Sequence, residues 1–160
     1  MAETYTSREL QQFIEAHGIE ATILPMPGHT PTVSDAAREL NVATDQIIKS
    51  LVFISAESPL LVINNGLSRV DRRKLAAFLG VGRKKVKFAS AEQARAITGY
   101  VVGSMPPFGH RQTLRTLVDP AVTTLDVVYG GGGAIDAMMR LTPNELLRVT
   151  GAEVEALSES

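Results

Sequence analysis

Short apolar runs alternate along this chain with segments whose apolar residues recur at helical spacing. The runs 51–54 and 60–63 are joined by five residues that include Pro59, and this pattern predicts a β-hairpin. Both faces of segment 47–54 are apolar, so we expect a central strand that is covered on both sides. Further short runs predict strands at 19–24, 29–33, 86–88, 100–102, 116–119, 125–129 and 134–141.

Capping residues mark helices between these runs. Thr6 and Glu9 have the spacing of a capping box, and Thr142, Pro143 and Glu145 form a second helix start. Glycine or asparagine follows each helical segment, as is typical of helix C-termini. The predicted helices begin at Thr6, at Ser34 or Asp35, at Asp71, at Ser90 and at Thr142, and they end at Gly18, Asn41, Gly80, Gly99 and Gly151.

Strands and helices of this length in alternation predict an α/β fold. We expect a single compact domain over residues 1–160, with a mixed, strongly curved β-sheet flanked by short helices. The four consecutive glycines at 130–133 predict a flexible connection. Residues 152–160 are expected to be a frayed tail or a short closing strand.

Composition limits the classes of protein that fit. The chain has 160 residues, of which 44% are hydrophobic, enough for one well-formed core. It has no cysteine, which excludes disulfides, a thiolate nucleophile and a cysteine zinc site. No apolar run approaches the roughly 20 residues of a membrane helix, and the first residues lack the pattern of a signal peptide. We therefore expect a cytoplasmic protein that is not bound to a membrane.

Positive charge is concentrated in one stretch. Residues 69–87 contain eight lysines and arginines against Asp71 alone, although the whole chain has a net charge of −1. Such a stretch suits an anionic partner, such as a nucleic-acid backbone, and it is equally compatible with a solvated helix and loop that bind nothing.

Two features stand out as candidate chemistry. Lys49 is a single cation in an apolar strand, so its ammonium must pair with an acid, enter a water-filled pocket or reach solvent at the strand end. Segment 99–110 contains three glycines, two prolines, Ser104 and His110. Such a loop can present backbone N–H groups to a ligand, or it can be a rigid connection only. We expect the lysine and the loop to face one pocket.

Metal and nucleophile motifs are absent from the sequence. His29, His110 and Asp136 are widely separated, and no HExxH or HxH spacing joins them, so we predict no metal site. No G-x-S-x-G elbow is present, which leaves Ser34, Ser50 and Ser104 as weak nucleophile candidates.

Three segments together resemble the YbaK/EbsC family of aminoacyl-tRNA deacylases, which is related to the editing domain of bacterial prolyl-tRNA synthetases. They are 47–53, with Lys49, then 98–110, with the glycine–proline–glycine–histidine loop, and 141–147, with Leu-Thr-Pro-Asn-Glu. The similarity spans roughly residues 6–155. It implies the compact α/β fold of the family and hydrolysis of the ester that joins a wrong, small amino acid to the 3′ end of a tRNA.

The resemblance also implies roles for individual residues. Lys49 stands where the family has its essential lysine, and Gly103 belongs to the loop that positions the attacking water or the scissile carbonyl, assisted by a ribose hydroxyl. No metal, cofactor or covalent nucleophile is implied. The predicted substrate-binding residues are His29, Ser50, Ser104, Pro107, Gly109, His110 and Asp136, and the predicted tRNA-binding residues are Arg72, Arg73, Lys84 and Lys85.

The predicted partner is the acceptor end of a mischarged tRNA, and a homodimer is one candidate assembly. An alternative prediction is a binding module of the same fold, which recognises a tRNA end or another small ligand without turnover. The absence of a strong general base or nucleophile from the motifs keeps this alternative open.

Overall fold

A computed structural model describes residues 3–159 of the protein. The chain begins with α1, β1, α2 and a 3-10 turn, which are followed by the β2–β3 hairpin and α3. A second 3-10 turn leads into β4, and short strands and helices alternate from there on. The bounds are α1 Ser7–Ala16, β1 Ala21–Pro25, α2 Val33–Leu40, the turn Thr44–Gln46, β2 Ile48–Ser55, β3 Ser58–Asn65, α3 Arg72–Leu79, the turn Arg83–Lys85, β4 Val86–Phe88, α4 Ala91–Thr98, β5 Arg115–Val118, α5 Pro120–Thr123, β6 Val128–Gly131, β7 Ala137–Leu141, α6 Pro143–Thr150 and β8 Glu153–Val154.

The strands form two sheets. The larger has the order β4-β2-β3-β5-β8 and is mixed, because β5 runs parallel to β3 and to β8 whereas the other pairs are antiparallel. The smaller is antiparallel, with the order β1-β7-β6. A single bridge between Ile47 and Tyr129 links them. The α/β class and the mixed sheet are thus confirmed, whereas the one strongly curved sheet is not: its strands divide between two sheets, and neither is closed.

The larger sheet buries apolar side chains on both faces. On one face Leu61 belongs to the cluster that contains Met139 of the smaller sheet. On the other face Phe53 and Val62 pack with Leu75 of α3. Each of these side chains contributes roughly 1.5–3 kcal/mol through burial. The expectation of a β2 strand covered on both sides is therefore confirmed for its central residues.

Most helix ends fall where the capping residues predict. The capping boxes at Thr6 and Ser90 are formed, Asp71 and Thr142 accept hydrogen bonds from the first turn of α3 and α6, and the predicted C-terminal residues Asn41, Gly80, Gly99 and Gly151 are all left-handed. The start of α2 differs: Thr32 is its N-cap, in place of Ser34 or Asp35, because its side chain accepts a hydrogen bond from the Asp35 N–H.

Several strand predictions need correction. Residues 29–33 and 100–102 form no strand, and 134–136 are a turn before β7. The hairpin loop is shorter than predicted, because Ala56 and Glu57 both have positive φ and make a two-residue turn that lets pairing extend to Ser55 and Ser58. The closing-strand alternative for the end of the chain is confirmed, since β8 pairs with β5.

The glycine run is tightly packed and is not a flexible connection. Two of its residues belong to β6, and the other two pack against neighbouring backbone. A Cβ on Gly131 would overlap the carbonyl group of Met105, and one on Gly132 would lie 2.7 Å from the carbonyl carbon of Ala137. The missing side chains allow β6 to approach the loop that follows α4. No helix among residues 3–159 has the length and apolarity to cross a membrane.

We predict that Gly131→Ala destabilises the protein by about 1–3 kcal/mol, because the added methyl group must displace the Met105 backbone. The measurement is urea unfolding monitored by circular dichroism. The matched control is Gly82→Ala, since Gly82 has φ −68° and open space where the methyl group would lie. Equal stability of the two variants would contradict the close approach.

Candidate active site

The pocket lies along one edge of β2. On the other edge β3 pairs with the whole strand, from Ile48 to Ser55. On the pocket side β4 pairs only with residues 53–55, and the bridge from Ile47 to β6 closes the opposite end. Residues 48–52 thus have no strand partner on this edge. The gap between β4 and β6 forms a pocket of about 330 Å³, a volume typical of small-ligand sites.

Four parts of the fold surround this gap. They are the segment that leads into α2 and its first turn, β2 itself, the end of β4 with α4, and the loop after α4 together with the sheet β6–β7. The lining residues are Thr30, Pro31, Thr32, Val33, Ala36, Ile47, Ile48, Lys49, Ser50, Leu51, Val52, Phe88, Ala89, Ala94, Val102, Gly103, Met105, Gly131 and Met138. No Asp, Glu, His or Cys is among them.

Ser50 lies in the middle of the gap. Its Oγ is buried and has no hydrogen-bond partner among the described residues. Its backbone is also directed into the gap: the Ala89 N–H donates to the Val52 carbonyl at 3.0 Å, and alternation along the strand gives Ser50 the same direction. A buried polar group without a partner costs about 1–3 kcal/mol, so this residue is suited to a polar ligand group.

Lys49 is exposed at the edge of the pocket, directly across the hairpin from Asn64. Within residues 3–159 it has no hydrogen-bond acceptor, and no carboxylate oxygen lies within 4 Å of its ammonium. Of the three arrangements that the sequence left open, pairing with an acid is therefore wrong. The ammonium lies at the solvated rim of the pocket, available to an anionic or carbonyl oxygen.

Gly103 supplies the backbone element of the pocket. The Ser104 N–H donates to the Val101 carbonyl at 3.1 Å, which closes a tight turn with Gly103 at its third position. Gly103 has φ +96°, which a side chain would strain, yet a Cβ there would meet no atom within 4 Å. Its N–H donates to no acceptor in the described part of the chain. The lysine and the glycine loop thus face one pocket, as expected.

Four predicted substrate-binding residues of the same loop are not in the pocket lining. The Ser104 side chain is fully buried and donates to the Val101 carbonyl at 2.8 Å, and Pro107 is also buried. His110 Nε2 is 2.8 Å from the Pro106 carbonyl, and burial lowers the pKa of the His110 imidazole. Gly109, at φ +76°, lies against the Phe13 ring. None of these four predicted substrate-binding residues is in the pocket lining, and the Ser104 and His110 side chains hydrogen-bond within the loop.

Two other predicted substrate-binding residues are exposed and outside the lining. His29 directly precedes Thr30, which does line the pocket. Asp136 lies in the turn before β7, where its carbonyl accepts from the Met26 N–H at 2.7 Å. The described residues contain no group of three His, Asp or Glu side chains placed to hold a metal ion. Direct contact of either residue with substrate stays a prediction.

The predicted tRNA-binding residues lie near a second, polar cleft of about 200 Å³. Arg72 and Arg73 line it from the start of α3, and Arg83 lines it from the 3-10 turn. Lys84 and Lys85 are exposed in the same turn. This turn leads directly into β4, whose last residue, Phe88, lines the pocket. Asp71 and Glu159 line the cleft together with the arginines.

Sequence reasoning missed several lining residues. Phe88 and Val102 were interpreted only as strand residues, and both are exposed at the pocket. The segment 30–36 was interpreted as a strand and a helix start. Thr32 followed by Asp35 is an N-cap pattern that could have placed the helix earlier, but nothing local indicates that its first turn lines the pocket.

Residues 28–149 match a protein family described as the aminoacyl-tRNA editing domain. The chain belongs to this family. The resemblance to YbaK-type editing domains is thereby confirmed, and every lining residue of the pocket falls within the matched range.

Individual members of the family are similar over much of this chain. A proline–tRNA ligase of Streptococcus equi subsp. equi is 30% identical over 129 residues, which is 80% of this chain and 21% of that enzyme. One from Latilactobacillus sakei subsp. sakei is 32% identical over 67% of this chain and 19% of that enzyme. The chain thus spans about a fifth of the length of these relatives.

Among solved structures, a proposed trans-editing enzyme for prolyl-tRNA synthetase has the same fold. Its TM-score is 0.90 at 32% identity, and the superposition covers 96% of this chain and 97% of that one. The α/β fold is therefore shared over almost the full length of both chains.

Proposed function

We propose that this protein is a trans-editing aminoacyl-tRNA deacylase, which hydrolyses the ester between a small amino acid and the 3′ end of a mischarged tRNA. One observation carries the proposal. Lys49 and the Gly103 N–H, both without partners in the described part of the chain, line a single pocket within the family's matched range.

The chemistry requires little from the side chains. An ester between an amino acid and a ribose is already activated, so the enzyme needs to orient it, place a water molecule and stabilise the oxyanion that develops on the carbonyl. In this proposal the Gly103 N–H donates to that oxyanion. The Lys49 ammonium binds an oxygen of the terminal nucleotide, and a ribose hydroxyl of the substrate assists the water.

Ser50 is assigned to substrate binding. Its unpartnered Oγ and its backbone at the open edge of β2 can accept and donate hydrogen bonds to the polar groups of the aminoacyl end. We place the amino-acid side chain against the apolar wall formed by Val33, Ala36 and Ile47. Selection for a small side chain then follows from the size of this space, at about 1–3 kcal/mol per methylene group.

The basic stretch is assigned to the acceptor stem. Arg72, Arg73, Lys84 and Lys85 are proposed to neutralise phosphates as the stem leaves the pocket along β4. Any contribution of a homodimer to this surface stays a prediction.

A non-catalytic binding module is the second candidate, and one observation favours it. The pocket lining contains no carboxylate, imidazole or thiol that could serve as a general base. Such a module would bind the tRNA end through the same lysine and loop and release it unchanged.

We predict that the wild type releases the amino acid from at least one of four tRNAs mischarged with Ala, Cys, Ser or Thr. Lys49→Ala should lower kcat/KM by about 100-fold, because a charge-assisted hydrogen bond of roughly 1.5–3 kcal/mol is lost. The measurement is release of labelled amino acid under single-turnover and steady-state conditions.

The control for this experiment is Arg8→Ala, which removes an exposed cation from α1, outside the pocket lining. Its activity should equal that of the wild type. Tight tRNA binding without release from any of the four substrates would favour the binding module, and full activity of Lys49→Ala would contradict the proposed mechanism.

We also predict that joint replacement of Arg72, Arg73, Lys84 and Lys85 by Gln weakens tRNA binding. The slope of log K against log salt should become shallower by about 0.9 for each lost phosphate contact. Filter binding at salt concentrations from about 50 to about 200 mM measures this slope. Replacement of Arg8 and Arg140 is the control, and an unchanged slope in the fourfold variant would show that the basic stretch is only a solvated surface.

A further inference from the structure

Two large apolar side chains are exposed at the mouth of the pocket. Phe88 is 59% exposed and Val102 is 61% exposed, and both line the pocket. Phe88 is the last residue of β4, and Val102 lies in the loop directly before Gly103. Exposed apolar side chains that together border a pocket form a surface that a bound ligand can cover.

The Phe88 ring is held in place. Phe88 is paired across the strands with Phe53, which is buried, and the two ring centroids are 5.3 Å apart at an interplanar angle of 56°. The next residue continues the ladder through the hydrogen bond from the Ala89 N–H to the Val52 carbonyl. The ring is thus supported on one side by the core and open to solvent on the other, which is the arrangement of a stacking surface.

The charges around Phe88 indicate what covers it. Residues 83–87, which directly precede Phe88, contain four cationic side chains and no acidic one. An exposed aromatic ring among cations suits a nucleobase, whose flat face stacks on the ring while its phosphates contact the cations. An apolar peptide would gain nothing from these charges.

The separation along the sheet fits one nucleotide. Lys49 lies four residues from Phe53 on the same face of β2, and Phe53 is directly opposite Phe88. Four residues of strand span about 13 Å, comparable to a nucleoside extended together with its aminoacyl group. A base on Phe88 would therefore leave the ester near Lys49 and Gly103.

We propose that Phe88 is the stacking platform for the terminal base of the substrate RNA, with Val102 covering the base from the loop side of the mouth. The inference rests on the proposed function and adds the residue that positions the nucleotide. Base–aromatic stacking contributes about 1–3 kcal/mol, which corresponds to a loss of affinity between about 5-fold and 150-fold when the ring is removed.

The test uses an RNA acceptor-stem minihelix whose 3′-terminal base is 2-aminopurine and whose aminoacyl ester is replaced by a non-hydrolysable amide. Stacking quenches 2-aminopurine fluorescence, so the readout does not depend on turnover. We expect wild type and Phe88→Trp to bind and quench. Phe88→Ala should bind about tenfold more weakly without quenching, and Phe88→Leu, which keeps an apolar side chain on β4, should also fail to quench.

The matched control is Leu67→Ala, which removes an apolar side chain of similar exposure, 62%, that does not line the pocket. It should behave as wild type, and urea unfolding should show Phe88→Leu to be folded. Undiminished quenching and affinity in Phe88→Ala would overturn the stacking platform alone. Absence of RNA binding by the wild type would overturn the proposed function and the platform together, whereas quenching without deacylation of the ester would support the platform and contradict catalysis.

Discussion

The pocket depends on an interruption in strand pairing along one edge of β2. β4 pairs with residues 53–55, β6 pairs only with Ile47 just before the strand, and neither pairs with the five residues between them, 48–52. The unpaired N–H and C=O groups at a strand edge can normally form hydrogen bonds with another strand. Here residues of α2 and of the glycine loop line the gap together with β2, so the unpaired edge forms one wall of a cavity. The Ser50 Oγ, which has no hydrogen-bond partner among the described residues, is available there to a ligand.

Two glycines, Gly131 and Gly103, are required at this cavity for different reasons. Gly131 allows β6 to contact the Met105 backbone, where any side chain would collide. Gly103 has open space around it, and the residue is needed for its left-handed φ. The buried part of the loop, with Ser104 and His110 bonded to neighbouring carbonyls, fixes the turn that exposes the Gly103 N–H. Ser104 and His110 thus stabilise the conformation of the loop, and their direct contact with substrate stays a prediction.

Local signals in the sequence were sufficient for much of the fold and for part of the site. Capping residues placed most helices, and the lone cation Lys49 and the glycine loop were correctly expected to share a pocket. What sequence alone could not supply is non-local. The division into two sheets depends on which strands stop pairing, and the exposure of Phe88 depends on where β4 ends. The segment at Tyr100 has the apolar pattern of a strand, but it packs as an irregular turn in the core.

The most direct test of the central claim is a structure of the protein bound to a 3′-amide analogue of an aminoacylated adenosine. We expect the analogue to occupy the gap between β4 and β6. Its carbonyl oxygen should lie about 3 Å from the Gly103 nitrogen. The Lys49 ammonium should donate a hydrogen bond to an oxygen of the same nucleotide. An analogue bound elsewhere, or one in the pocket with its carbonyl directed away from Gly103 and no contact to Lys49, would contradict it.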